Sequence, residues 1–167
     1  MTAAAVVAGI LLLLVVGAWW ARRQITVNHV MEAYAKDAVD TAAKGFQVTL
    51  DYSPESVALL EEIVGRQHDE FAKGDKPSDE KLQTFCKVWG AYLGEVMRRQ
   101  RGGEWSVPKD GPFQGVYTLT MNTTSTSPPS KVWKRIVDGP GDDLHAYYKV
   151  ILADRDGLLS LEVKPLD

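Results

Sequence analysis

Between Gly90 and Trp105 the chain gathers the carboxylate Glu95 with Arg98, Arg99 and Arg101, then Glu104 and a closing indole. A carboxylate beside guanidinium groups can act as a general acid or base next to an anion that the arginines hold. With His145 as a second titratable group it would serve a small hydrolase or transferase. The same spacing also has a purely structural reading. Glu95 and Arg99 are four residues apart with the acid N-terminal, the favourable order for a helical ion pair worth about 0.2–0.5 kcal/mol. Gly90 and Gly94 are one turn apart, and each costs about 1 kcal/mol relative to alanine in a helix interior. Close approach of another backbone, or of a ring such as Trp105, would offset that cost. The stretch is therefore expected to be a packing joint, and no residue is assigned a catalytic role.

The other reactive side chains do not assemble into a known site. His29, His68 and His145 have no H-E-x-x-H spacing, and no C-x-x-C is present, so no metal is expected. Cys86 is the single cysteine, placed among apolar residues of a predicted helix, where it reads as a small buried side chain. No G-x-S-x-G occurs, and Ser53 and Ser78 fit better as helix caps. Gly102-Gly103 and Gly139-Pro140-Gly141 lack the lysine of a phosphate loop, so no cofactor is expected. The net charge of −3 and the scattered basic residues exclude a broad cationic face, and with it nucleic acid as a partner. What remains is aromatic and cationic. Trp105, Trp133 and Tyr117, with Arg98, Arg99 and Arg101, form the candidate surface for binding another protein.

The elements that must position these residues follow from periodicity and stop signals. Asn28 is a candidate cap for a helix closing at Lys44-Gly45, so residues 24–45 read as a juxtamembrane helix. Phe46, Val48 and Leu50 alternate with polar residues up to Tyr52, the period of a strand with one buried face. Ser53-Pro54-Glu55 starts a second helix running to about Ala72, with Val57, Leu60, Ile63, Val64, Gln67 and Phe71 on its inner stripe. Ser78 opens the longest helix, with Leu82, Phe85, Cys86, Trp89, Leu93 and Val96 facing inward and Gly102-Gly103 ending it. Residues 115–121 and 131–137 are expected as strands, residues 122–130 as a hydroxyl-rich loop, and Asp142 as the cap of a short helix. A last strand is expected at 158–163.

Residues 3–21 carry no charge, end with Trp19-Trp20 in their last turn and precede Arg22-Arg23. About 20 apolar residues span a bilayer core, so residues 1–23 are expected as a single-pass anchor in a bacterial inner membrane. The arginine bias places the domain in the cytoplasm, and a cleaved leader or an overridden bias would place it in the periplasm. Residues 24–167 form one α+β domain, with about four helices on a three- to four-stranded, largely antiparallel sheet.

Read together, Leu50-Asp-Tyr-Ser-Pro-Glu-Ser56, Tyr92-Leu-Gly-Glu-Val96, Gly102-Gly-Glu-Trp105 and Lys131-Val-Trp-Lys-Arg135 give the chain over about residues 38–150 a resemblance. It is similar to a loose group of small bacterial domains of unknown function, some of them accessory or immunity-type. The resemblance implies a membrane-tethered protein-binding domain and carries over no active-site residue. A structural subunit of a membrane complex is the blander alternative.

Overall fold

The computed structural model describes residues 25–153. Five α-helices accompany a small sheet that packs on the first and third of them: α1 Val27–Thr41, α2 Ser56–Ala72, α3 Asp79–Arg101, α4 Pro128–Val137 and α5 Leu144–Ala153. The strands β1 Glu104–Ser106, β2 Thr118–Met121 and β3 Thr124–Thr126 form one antiparallel sheet in the order β1-β2-β3. The class is α+β, as the sequence predicts, with one more helix and a different set of strands.

α3 is the central rod. Ser78 caps it by accepting from the Lys81 amide, acids fill its first turn and arginines its last, and Gly102 leaves it at φ +75°. Burial runs unbroken from Trp89 to Met97 on this helix, because α1 packs along one side, α4 along another and the sheet over its C-terminal half. Trp89, Tyr92, Leu93 and Met97 are fully buried there, each contributing about 1.5–3 kcal/mol by leaving water.

Two expected strands take other forms. Lys131–Val137 is helical, since Pro128 and Pro129 supply preset φ angles at the first positions and Ser127 accepts from the Ser130 amide. Val132, Arg135 and Ile136 then share one buried face at i, i+3 and i+4. A seven-residue window of mixed character fits either period, and the capping residues lie outside it. In place of the strand expected over 46–52, Phe46 closes a π-helical turn and the residues after it form no strand, bracketed by left-handed Gln47 (φ 57°) and Tyr52 (φ 63°). Phe46, Val48 and Leu50 still pack on the core.

The strand expected at 115–121 is present as β2, and its partner β3 forms where a loop was expected. Asn122, at φ 52°, and Thr123 make a two-residue turn that pairs Thr120 with Ser125, while Trp105 pairs with Leu119. Cap assignments shift as well. Thr26 caps α1 in a reciprocal box with His29, and Asp143 accepts from the Ala146 amide at the start of α5, in place of Asn28 and Asp142. α1 ends in a π-helical turn, Ala42–Phe46, so the expected single helix to Gly45 changes pitch.

No helix among the described residues is long and apolar enough to cross a membrane. The expected single-pass helix, and the inner-membrane localisation built on it, are corrected accordingly; the segment 3–21 itself lies outside the described residues, as does the strand expected at 158–163.

Candidate functional site

Glu95 is 1 % exposed on the face of α3 that meets the sheet. A carboxylate taken out of water must be paired or neutralised, and here it is paired. Its Oε1 accepts from the Trp105 indole Nε1 at 2.8 Å and from Arg98 Nε at 2.8 Å, and its Oε2 accepts from Arg98 Nη2 at 3.0 Å. The two-pronged guanidinium geometry is the strong form of such a contact. Arg98 Nη2 also reaches Glu32 Oε1 on α1 at 2.5 Å. These carboxylates, the Glu95 hydrogen bond foremost, push the already high Arg98 pKa further up.

A second set of contacts fixes Trp105 from the other side. Its amide donates to Asn28 Oδ1 at 2.7 Å, and Asn28 Nδ2 donates to Glu104 Oε2. Asn28 and Glu32 are one turn apart on α1, so a single helical face binds both β1 and α3. Asn28 therefore serves as a clamp on the strand edge where a helix cap was expected.

The glycines make the joint possible. A Cβ on Gly94 would stand 2.1 Å from Trp105 Cζ2, so the edge of the ring lies against the bare backbone. A Cβ on Gly90 would stand 2.4 Å from Pro129 Cα, which lets the first turn of α4 touch α3 backbone to backbone.

The remaining candidate residues diverge from this cluster. Arg99 is exposed and its guanidinium sits 3.5 Å from the Tyr52 ring centroid, a cation–π contact that takes it away from Glu95. That contact explains why the carboxylate pairs with Arg98 at i+3 instead of Arg99 at i+4. Arg101 is partly exposed in the last turn of α3, and Tyr117 and Trp133 are half-buried against the core. Trp105, at 4 % exposure, presents almost no surface to a partner.

The histidines are structural in two cases. His29 completes the α1 cap, and His68 Nδ1 meets the Ile136 carbonyl at 2.8 Å, with its ring against Gly139. His145 lies on α5, and Glu95 accepts from Trp105 and Arg98 where the catalytic alternative needed a histidine. Among the described residues no group of three or more His, Cys, Asp or Glu could hold a metal ion. Burial pushes the Cys86 thiol up to about 12, which keeps it protonated and unreactive at neutral pH.

One buried pair escaped the sequence reading. Arg135 on α4 donates through Nε to Glu61 Oε1 at 2.6 Å, and Glu61 Oε2 accepts from the Leu144 amide at 2.9 Å. Glu61 thus joins α2, α4 and the start of α5. A lone arginine on the inner face of α4 was the available signal, hidden by reading the segment as a strand.

The chain matches no family model, no curated protein and no solved structure.

Proposed function

We propose that this chain is a non-catalytic domain that engages another protein. The supporting observation is the burial and pairing of Glu95. The one buried carboxylate in the arginine-rich stretch is 1 % exposed and both its oxygens accept from Arg98 or Trp105, so it is not open to a substrate. The groups placed to meet a partner are on the outside. Arg99 is exposed on Tyr52, Trp133 and Tyr117 each retain part of their surface, and Val107 is 41 % exposed at the start of the β1–β2 connection. Aromatic and arginine side chains of this kind carry most of the energy of protein interfaces.

The test combines crosslinking and turnover on the full chain. Partner capture lost on Trp133→Ala or Arg99→Ala, with the unfolding midpoint unchanged, supports the reading. A turnover that Glu95→Gln abolishes while the fold survives refutes it.

A further inference from the structure

A cavity of about 340 Å³ opens between α2 and α3 beneath the π-helical end of α1, at the small end of the range for organic-ligand sites. Its inner wall is carbon. Half-buried Phe46 and Phe85 form it with Leu82, backed by Trp89 and Ile136, and the Phe46 and Trp89 rings meet edge to face at 6.0 Å between centroids. The Trp89 indole Nε1 and the Gln67 side-chain oxygen are buried out of reach of water, so neither offers a hydrogen bond to anything inside. Charge is confined to the exposed rim. There Arg66 and Lys81 stand against Glu70 and Asp75, two charges of each sign, so the mouth has no net field for either an anion or a cation. An ordered water needs about two to four polar partners, which a carbon wall does not supply. Loosely held water of this kind is displaced with a gain in affinity by an apolar group.

We propose that this cavity binds an uncharged, apolar ligand of about two fused rings. An apolar cavity of about 150 Å³ holds one benzene, and the larger volume here takes a second ring. The ligand's faces and edges meet Phe46 and Phe85, the contacts aromatic pairs favour. A charged group on the ligand would lose its water without gaining a partner on the inner wall, and at the mouth it would meet a like charge for each opposite one. The site is independent of the protein-binding surface, since its lining shares no residue with it.

Naphthalene is the probe, with benzene, 2-naphthoate and 2-naphthylmethylammonium as controls, titrated into the full chain while the aromatic ring resonances are followed. Naphthalene is expected to shift the Phe46 and Phe85 signals saturably with a Kd of about 0.1 mM. Benzene, the anion and the cation should each bind at least about tenfold more weakly. Phe85→Ala removes one ring of the wall and should weaken naphthalene about tenfold. If that variant does not fold, Thr41→Trp decides. It places a large ring at an exposed position of the lining, where it should block naphthalene and leave the unfolding midpoint unchanged. Either charged analogue binding as tightly as naphthalene overturns the proposal, as does the absence of a saturable shift at Phe46 and Phe85 in saturated naphthalene. Naphthalene binding that survives unchanged in the deciding variant also overturns it, because the ligand would then sit elsewhere.

Discussion

Alanine is the better helix former, so replacing Gly94 by alanine in the middle of α3 would add about 1 kcal/mol of stability if nothing stood nearby. The structure reverses the sign. The new methyl would lie 2.1 Å from Trp105 Cζ2, 2.4 Å from Cη2 and 3.3 Å from Pro128 Cγ, where carbon atoms prefer about 3.5–4.0 Å. The ring has to move, and overpacking of this kind costs about 1–3 kcal/mol. Movement also breaks the 2.8 Å bond from the indole to Glu95, a hydrogen bond to a charged group worth about 1.5–3 kcal/mol. Subtracting the helix gain leaves a net loss of about 1.5–5 kcal/mol. Urea unfolding followed by tryptophan fluorescence reads it as a lower midpoint at unchanged slope. Gly45→Ala is the control, since nothing lies within 4 Å of its Cβ position, and it should be neutral or slightly stabilising. In the background of Trp105→Ala the Gly94→Ala loss should vanish, because the clashing ring is gone. A Gly94→Ala protein as stable as the parent would refute the packing-joint account.

Removing the Glu61 carboxylate as Glu61→Ala leaves Arg135 buried without its counter-charge and the Leu144 amide without an acceptor. It should cost about 3–5 kcal/mol, against a smaller loss for Glu61→Gln, by chemical denaturation. Glu95→Gln keeps an acceptor for the indole but breaks the charge pairing with Arg98, and a loss of about 2–4 kcal/mol in the same assay is expected. Cys86 titrates near 9 in the unfolded chain and at about 12 in the fold, so above pH 9 the unfolded state releases a proton that the folded state keeps. Stability therefore falls between pH 9 and 12, and Cys86→Ala should flatten that limb of a stability-against-pH curve. In the native protein the same thiol should react with a disulfide reagent at pH 8 only as fast as the chain opens, which stopped reaction in denaturant would calibrate.

Where local chemistry is self-sufficient, the fold was legible. Ser78, Asp79 and Glu80 at one end of α3 and three arginines with Gly102 at the other are satisfied within a turn of where they stand, so the limits of that helix follow from residues alone. The close approach at Gly94 was legible for the same reason, since a glycine inside a strong helix needs a neighbour to offset it, and Trp105 is the first ring beyond the end of the helix.

Tertiary structure decided the rest. Val132, Trp133, Ile136 and Val137 satisfy a strand pattern and a helix pattern equally; Ser127, Pro128 and Pro129 start α4 as a helix, and where that helix lies is fixed by Pro129 packing against Gly90, about forty residues away in sequence. Glu95 could have paired with Arg99 on spacing alone; the Tyr52 ring captured Arg99 and left Arg98 to lie over the carboxylate. Gln67 and Trp89 were both visible as members of inner stripes, but that they share a cavity with their polar atoms unpaired depends on where α2 and α3 come to rest. Caps, charges at helix ends and glycine costs act over a few residues and are written in the chain. Which charge meets which ring is set by contacts across the core, and no periodicity along the chain encodes them.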